Sequence, residues 1–443
     1  MEIIKSAGIW VDTASRFQTV DGFGVNINSK YWRGGELSPV MDLLVKDLGA
    51  TLFRLDCYGR ANWVDPKNLY DGSVLNQNHY DKIYASDDFQ NALGMSLYLN
   101  KCGIEPYITV SGIAPRWMCG QDGKTLEHYG QYADMIVNYA SWLKKNGVQF
   151  SLLGPLNETD LGPPEGPLLP PEQYAEACEV IVETLDKYGL TDVNLVVAEQ
   201  AGYNLDYVRE LMKCKSLENR IGAFSMHAYS HLDCGSLIDE VKKEENAGFH
   251  NARCWMGEFG VLDQSYGHED YIAWQSTETL FRLLGDGMNG AIYWDAYDNY
   301  HDHDDSWTAF GLLKNTWYAY VPKRPYYALK HIYKYVRQGA VRVGASCSWR
   351  EIPVLAFENI KSGHLTVIGM NPSNEAVYMG LRLGDKYAPG YKQFRVFRTC
   401  GFDNCADVTE PTAKLAHRTG TDIDFTAPPH SIFTVTNSFN ALE

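Results

Sequence analysis

The stretch Phe150-Ser151-Leu152-Leu153-Gly154-Pro155-Leu156-Asn157-Glu158 is the best guide to the fold of this chain. Its apolar part has the composition of a short buried strand, and it stops abruptly at Asn157-Glu158. The pattern recurs where Cys254-Trp255-Met256 stops at Gly257-Glu258-Phe259-Gly260. In a parallel barrel the functional groups lie at the C-terminal ends of the strands, so the two carboxylates are predicted to share one rim.

Strand-like and helix-like segments alternate between Gly22 and Arg337. The candidate strands are Gly22–Ile27, Thr51–Asp56, Glu105–Val110, Phe150–Pro155, Asn194–Ala198, Ala223–His227, Cys254–Glu258 and Ala291–Asp295. The amphipathic stretches are Val40–Leu48, Asp88–Lys101, Tyr129–Lys145, Pro171–Lys187, Leu205–Lys213, Ser236–Glu245, Glu269–Leu284 and Pro325–Val336. This alternation predicts a (β/α)8 barrel, and the lack of a GxGxxG loop argues against an open doubly wound sheet.

The pattern changes after Gly339. Short alternating segments are separated there by Gly, Pro, Asn and Asp, at Pro353–Glu358, Leu365–Met370, Phe394–Arg398 and Ile432–Thr436. They predict an antiparallel β-sandwich domain at 339–443, after a catalytic barrel at 16–338. Residues 1–15, which include the apolar run Ile9–Val11, are expected to add one or more strands to the sandwich.

Composition excludes several classes of partner. With 39 basic and 55 acidic residues the net charge is −16, which argues against nucleic acid and anionic membrane surfaces. The ten cysteines are irregularly spaced, so free thiols such as Cys57 and Cys254 are expected. Met1–Lys5 shows no signal-peptide h-region and no apolar run reaches membrane-spanning length, which predicts a cytoplasmic protein. The oligomeric state is not predictable from these features.

Glu158 and Glu258 are the candidate catalytic residues. At the end of a strand the backbone can curl and bring both Asn157 and Glu158 to the rim. Gly257 and Gly260 let a ligand approach Glu258 closely. Two carboxylates that flank one bond can act as acid/base and nucleophile, as glycoside hydrolysis requires. Each glutamate taken alone is also compatible with a structural role.

Other strand ends carry groups suited to the same rim. Arg54 lies in the apolar run Leu52–Asp56 and needs a partner if buried, and a place beneath Glu258 would keep that carboxylate ionised. His227 and Tyr229 point to the same face at the end of the sixth strand. Core packing is the alternative for the histidine, and also for the tryptophan that ends the eighth strand. The candidates for substrate contact are therefore Arg54, Asn157, His227, Tyr229 and Trp294, the last as a stacking floor for a sugar ring.

Four more residues are candidates for substrate contact by position alone. They are Trp117 after the third strand, Glu199 at the end of the fifth, and His301 and Asp302 after the eighth. The run His301-Asp302-His303-Asp304-Asp305 also has the composition of a metal site. Contact with sugar hydroxyls is the favoured interpretation, and no metal or other cofactor is expected.

At these positions the chain resembles the glycoside hydrolases of clan A, whose pattern is Asn-Glu after the fourth strand and Glu after the seventh. The matching residues are Arg54, Asn157, Glu158, His227, Tyr229, Glu258 and Trp294. Asp21-Gly22-Phe23-Gly24 and the β-sandwich resemble family 30. The stretch Gly257-Glu258-Phe259-Gly260 resembles family 5.

The resemblance implies a retaining O-glycoside hydrolase that cleaves a β-D-glycosidic or α-L-arabinosidic bond. The expected substrate is a neutral glycoside or oligosaccharide. Glu158 is then the acid/base and Glu258 the nucleophile, with carboxyl groups about 5–5.5 Å apart. Two alternatives stay open: a metal-dependent hydrolase built on His301–Asp305, and a carbohydrate-binding protein without activity. The presence of both glutamates argues against the second.

Overall fold

The computed structural model of the chain describes residues 5–56, 70–71, 74–229, 234–301, 306–383, 386–387, 394–409, 414–415 and 422–439. Its strands are β1 Lys5–Thr19, β2 Gly22–Asn28, β3 Leu52–Asp56, β4 Tyr70–Asp71, β5 Val74–Leu75, β6 Tyr107–Thr109, β7 Leu152–Gly154, β8 Asn194–Val197, β9 Ile221–Ala228, β10 Arg253–Phe259, β11 Gly290–Tyr293, β12 Asn299–His301, β13 Ser306–Thr308, β14 Leu313–Asn315, β15 Tyr320–Pro322, β16 Val341–Cys347, β17 Val354–Asn359, β18 His364–Asn371, β19 Val377–Arg382, β20 Arg395–Cys400, β21 Asp403–Asp407, β22 Lys414–Leu415, β23 Asp422–Ala427 and β24 Ser431–Thr436.

The helices are α1 Ser38–Asp42, α2 Gln77–Tyr84, α3 Asp87–Lys101, α4 Tyr129–Lys145, α5 Pro171–Lys187, α6 Leu205–Lys213, α7 Cys234–Val241, α8 Glu269–Asp286 and α9 Arg324–Tyr333. A π-helical segment, Leu43–Leu48, continues α1. Short 3-10 turns lie at Ser29–Tyr31, Arg116–Met118, Lys215–Leu217 and Glu244–Phe249. Within the described ranges, none of these helices has the length and apolar character needed to cross a membrane.

Eight parallel strands close the barrel in the order β2, β3, β6, β7, β8, β9, β10 and β11. The last strand pairs with the first, Ile292 opposite Gly24, which completes the closure. The predicted (β/α)8 barrel is therefore confirmed. Apolar strands buried on both faces are what a parallel barrel requires, and they made the eight strands recognisable in the sequence.

The predicted helices match α4, α5 and α6 residue for residue and match α3, α8 and α9 apart from small differences at their ends. Helix α2 was missed, although Tyr80, Ile83 and Tyr84 form a buried stripe at helical spacing, because the helix is short. The helix predicted at Ser236–Glu245 ends at Val241, where the apolar pattern gives way to charged residues.

The C-terminal strands form a ten-stranded sheet in the order β21-β20-β24-β18-β17-β16-β1-β19-β23-β22. Strand β1 joins it near the middle, antiparallel to β16 and parallel to β19. Phe425 of β23 packs on Phe433 of β24, with ring centroids 5.0 Å apart, although these strands lie far apart in the sheet order. The sheet thus folds onto itself as the predicted sandwich. Strand β1 extends to Thr19, beyond residue 15, and the proposed domain boundaries stay a prediction.

The cysteines within the described ranges are free thiols, Cys254 among them. Cys57 lies outside those ranges.

His331 of α9 joins the barrel to the sandwich. Its Nδ1 lies 2.7 Å from the Thr434 hydroxyl and its Nε2 lies 2.9 Å from the Thr399 hydroxyl. Burial, helped by Lys330 and Arg324, lowers the pKa of His331 to about 3. The folded state therefore holds this imidazole neutral at pH values where the unfolded chain protonates it.

We expect this histidine to make the protein less stable in acid. The unfolded state binds the extra proton below pH ~6.5, so stability is full above that value and falls by about 1.4 kcal/mol per pH unit towards the folded pKa. Denaturant unfolding gives the free energy of unfolding at pH 7 and at pH 5. The decrease between these two pH values should be about 2 kcal/mol smaller in His331→Gln than in wild type. Equal losses in the two proteins would contradict the assignment.

Candidate active site

The C-terminal ends of the barrel strands surround a cavity of about 280 Å³. Arg54 of β3, Glu158 after β7 and Glu258 of β10 contribute to its wall, and each is less than a tenth exposed. The other lining residues are Asn26, Ile27, Asp56, Thr109, Ser111, Asn157, Leu161, Glu165, Ala201, Tyr229, Leu262, Trp294 and Phe310. The two glutamates predicted from their strand ends thus line the same cavity.

Arg54 is the hub of the polar network under the cavity. Its guanidinium donates to Asn26 Oδ1 (2.8 Å), Asn157 Oδ1 (2.6 Å), Glu258 Oε1 (2.7 Å) and Glu199 Oε2 (2.9–3.0 Å). Burying a guanidinium is costly unless its donors are satisfied, and the planar fork suits carboxylates on two sides. Burial opposes the charge of Arg54, but the carboxylates of Glu199 and Glu258 outweigh it and raise its pKa well above the usual range.

Each oxygen of Glu258 accepts a hydrogen bond from the protein. Arg54 donates to Oε1, and the Tyr229 hydroxyl donates to Oε2 at 2.5 Å. Burial raises the pKa of Glu258 above its usual range, although the charges of His227 and Arg54 oppose this shift. Both donors orient the carboxylate and favour its ionised form, the state that a nucleophile needs.

His227 lies among three carboxylates. Its Nδ1 is 2.6 Å from Glu158 Oε1 and 3.6 Å from Glu258 Oε2, and its Nε2 is 3.7 Å from Glu199 Oε1. Burial alone would lower the pKa of His227, but the charge of Glu258, the hydrogen bond to Glu158 and the nearby carboxylate of Glu199 raise it to about 10. The imidazole is therefore a cation at neutral pH, and it contacts the acid/base candidate directly.

The backbone turns sharply at Glu158, which has φ 43°. A non-glycine residue in this left-handed region costs on the order of 1–3 kcal/mol and needs support from its surroundings. The Glu158 amide donates to the carbonyl of Glu199 at 2.7 Å, and Asn157 is held by Arg54. This turn brings consecutive side chains, Asn157 and Glu158, into the same cavity.

Glu199 lies beneath the cavity and not on its rim, in contrast to the sequence-based expectation. It is fully buried and does not line the cavity. Besides Arg54, it accepts hydrogen bonds from the hydroxyls of Tyr107 (2.6 Å) and Ser225 (2.8 Å). Burial acts to raise the pKa of Glu199, but Arg54 and His227 outweigh it and lower the pKa to about 2. These contacts hold Glu199 against Arg54, beneath the candidate catalytic residues.

Sequence reasoning missed three members of the network. Asn26 is a polar residue inside the apolar strand β2, and its amide donates to the carbonyls of Gly257 (3.1 Å) and Tyr293 (3.3 Å). Tyr107 and Ser225 are the other two. Ser225 lies two residues before His227, so strand alternation places both on the same inward face. An isolated polar side chain within a buried strand was the available signal.

Gly257 allows Glu199 to lie directly under Glu258. A Cβ at this position would come within 2.2 Å of Glu199 Oε1 and 2.3 Å of Ser225 Oγ. We expect Gly257→Ala to displace the carboxylate of Glu199 and to destabilise the protein by roughly 1–3 kcal/mol, with a parallel loss of turnover. Thermal unfolding and kinetics measure the two effects. Gly285→Ala, where the added methyl meets nothing within 4 Å, is the control.

The remaining candidates lie at different distances from the cavity. Trp294 lines it, and its ring packs against His301 with centroids 5.3 Å apart. His301 is itself buried behind the wall, with Nε2 3.2 Å from Asp295 Oδ2. Trp117 does not line the cavity and lies near His128, with ring centroids 6.2 Å apart. Asp302 lies outside the described residues, as do residues 303–305.

Glu158, His227 and Glu258 also meet the geometric condition for a metal site, since one potential ligand atom of each lies within 4.8 Å of the others. Both oxygens of Glu258, however, already accept strong donors, and the guanidinium of Arg54 next to them repels a second cation. The donor set therefore fits proton transfer and nucleophilic attack better than it fits a metal ion. The alternative site at His301–Asp305 falls largely on residues outside the described ranges.

Solved glycoside hydrolases share this fold over almost the whole chain. A family 30 subfamily 8 xylanase from Clostridium acetobutylicum superposes with a TM-score of 0.71 at 16% identity, covering 97% of this chain and 99% of the xylanase. An endo-β1,6-glucanase gives a TM-score of 0.71 at 14% identity, with coverages of 97% and 93%.

A family 51 α-L-arabinofuranosidase from Bifidobacterium longum gives a TM-score of 0.62 at 15% identity, with coverages of 98% and 99%. No family model and no curated protein sequence matches the chain. The resemblance to family 30 is confirmed at the level of the fold, a (β/α)8 barrel joined to a β-sandwich.

Proposed function

We propose that the protein is a retaining O-glycoside hydrolase. The observation that carries the proposal is the close approach of Glu158 and Glu258, of which one oxygen each lies within 4.8 Å of the other. Inverting enzymes keep their carboxyl groups about 6.5–9.5 Å apart to admit a water molecule, whereas retaining enzymes keep them about 5–5.5 Å apart. The pair therefore supports double displacement.

In the first step the Glu258 carboxylate attacks the anomeric carbon while Glu158 gives its proton to the glycosidic oxygen. The bond from the anomeric carbon to that oxygen breaks, and a glycosyl ester of Glu258 forms. In the second step Glu158, now a carboxylate, takes a proton from water, and the water oxygen attacks the anomeric carbon and displaces Glu258. Protons and electron pairs balance over the cycle without a cofactor.

The surrounding groups suit each of these roles. Arg54 and Tyr229 hold Glu258 in one orientation. The His227 cation lies beside Glu158 Oε1, where it stabilises the carboxylate that Glu158 becomes after giving up its proton. Trp294 offers an aromatic face to the sugar ring. Each step of the proposed reaction uses side chains that the chain itself supplies.

The charge of the cavity favours a neutral sugar. Besides the two catalytic candidates, the carboxylates of Asp56 and Glu165 line it, and among the described lining residues Arg54 is the one with a cationic side chain. A uronic acid in this space would face like charges. We propose a β-D-glycosidic or α-L-arabinosidic bond of a neutral glycoside or oligosaccharide as the substrate. The solved neighbours that act on xylan, on β1,6-glucan and on α-L-arabinofuranosides agree with this class.

The proposal is tested with aryl β-D-glucoside, galactoside, xyloside and fucoside and aryl α-L-arabinoside. Wild type should hydrolyse at least one of them, and Glu158→Gln and Glu258→Gln should each lose this activity. Glu176→Gln, an exposed glutamate on α5, is the control and should match wild type. Activity that survives both substitutions and disappears with a chelator would instead favour the metal-dependent hydrolase. Oligosaccharide binding without hydrolysis of any glycoside would favour the binding protein.

A further inference from the structure

A second groove, of about 450 Å³, lies beside the barrel rim. One wall is the hairpin of β14 and β15, which follows the last barrel strand, and the other is the segment after β2. Strand β11 pairs directly with β2, so the connections that follow these two strands are neighbours at the rim. The hairpin contributes Asn315, Trp317, Tyr318 and Tyr320, and the facing segment contributes Tyr31, Arg33 and Glu36.

The tip of the hairpin presents two aromatic rings to solvent. Trp317 is 76% exposed and Tyr318 is 99% exposed. The ring of Trp317 stacks on Trp307, with centroids 5.0 Å apart and planes 30° apart, so one face is supported from behind. Adjacent exposed aromatic rings beside a groove are typical of a recognition surface and not of a solvated turn.

The turn that carries these rings is internally fixed. The Trp317 amide donates to Asn315 Oδ1 at 2.8 Å, and both the amide and the hydroxyl of Thr316 donate to the carbonyl of Ala319, at 3.0 and 2.8 Å. Trp317 itself has φ 69°. A platform that is already ordered loses little conformational entropy when a ligand binds.

The groove carries balanced charge, and its hairpin wall is tied to the wall of the catalytic cavity. Arg33 and Glu36 are its charged lining residues, and their charges cancel. Trp307 lies on β13, which pairs with β12, and His301 of β12 packs against Trp294 in the cavity wall. The β12–β13 hairpin thus lies between the exposed rings and the wall of the catalytic cavity, and it packs against both.

We propose that this groove binds further neutral sugar units of an oligosaccharide or polysaccharide substrate, with Trp317 and Tyr318 as stacking platforms. The inference rests on the proposed glycoside hydrolase function and deepens it, since it makes a polymer the preferred substrate. The balanced charge of Arg33 and Glu36 gives the groove no net attraction for an anionic chain. Its aromatic rings together with the polar groups of Arg33, Glu36 and Asn315 suit the apolar and hydroxyl-bearing faces of a neutral sugar.

The test uses Glu258→Gln, so that bound glycan is not cleaved, in native gels that contain arabinoxylan, β1,6-glucan or arabinan. At least one polymer should retard it, and adding Trp317→Ala and Tyr318→Ala should weaken binding about tenfold, as loss of an anchoring aromatic does. Phe402→Ala is the matched control, because it removes a fully exposed ring from a hairpin turn of the sandwich. With Glu258 restored, kcat/KM on the polymer should fall about tenfold relative to kcat/KM on an aryl glycoside.

Each other outcome overturns the inference. Retardation by none of the polymers, or equal retardation of the groove variant and the Phe402→Ala control, removes the site. A change from dimer to monomer in sedimentation, specific to the groove variant, would make the groove a self-association surface. Failure of the glycosidase proposal looks different, since wild type would then hydrolyse no aryl glycoside, whatever the gels show.

Discussion

We expect Glu258→Ala to lower kcat on the best aryl glycoside by a factor on the order of 10⁵, because the variant has no carboxylate at this position to form the glycosyl ester. Sodium azide should restore turnover by entering the space of the lost side chain. The product should be a glycosyl azide of inverted configuration, since a single displacement replaces two. Kinetics and NMR of the product measure both effects.

The matched variant is Glu158→Ala, which should respond differently to the leaving group. With a 2,4-dinitrophenyl leaving group no proton is needed for departure, so the first step should survive and the glycosyl-enzyme should accumulate. Azide should then attack that intermediate and give an azide of retained configuration. If the two variants gave azides of the opposite configurations to these, the roles of Glu158 and Glu258 would have to be exchanged. If both variants kept wild-type activity and azide changed neither of them, the assignment of Glu158 and Glu258 as the catalytic pair would be refuted.

Much of the fold could be predicted because its elements are periodic and local. The eight barrel strands are buried on both faces and largely apolar, and α4 to α6 carry amphipathic patterns with clear ends. The sandwich was recognisable from its short alternating strands. The parallel pairing of β1 with β19 was not, because nothing in the run Ile9–Val11 indicates its partner in a distant part of the chain.

The site was predictable where a residue ends a strand and the backbone continues regularly. Arg54 and His227 fit that description, since each lies in a barrel strand close to its C-terminal end. Glu199 does not, because Ala198 before it has φ 61°, and the chain turns there in a way that strand alternation cannot anticipate. The carboxylate consequently points beneath the cavity, and its contacts depend on residues from strands far apart in sequence.

Glu199→Gln is the second variant with a large expected effect, and it tests whether Glu199 positions Arg54 and His227. The pKa of Glu199 is about 2 in the folded state, below its unfolded value near 4.5. A depressed carboxyl pKa contributes stability that is full above the unfolded value and is lost as pH falls towards the folded one. We therefore expect Glu199→Gln to lower the free energy of unfolding by about 3 kcal/mol at pH 7. This difference from wild type should become smaller between pH 5 and pH 3. Denaturant unfolding across this range measures it.

The control for this variant is Glu240→Gln on α7, where the carboxylate pairs with Arg209 and Lys243 away from the cavity. These partners are half exposed, so the loss should be below about 1 kcal/mol. A purely structural role for Glu199 would predict lower stability with an unchanged pH profile of the surviving activity. A positioning role also predicts a change in the pH profile, because the lost charge lies 3.7 Å from His227 Nε2 and supports the imidazolium.

Without that charge the pKa of His227 falls from about 10, and the basic limb of kcat/KM should move to lower pH. The direction of the change in the pKa of His227 follows from the sign of the charge, since removing an anion beside a cation makes the cation easier to deprotonate. The limb moves with it where turnover needs the imidazolium beside Glu158. A basic limb that stays in place while stability falls would limit Glu199 to holding Arg54. A limb that moves would show that the buried carboxylate acts on the acid/base glutamate through the histidine that both contact.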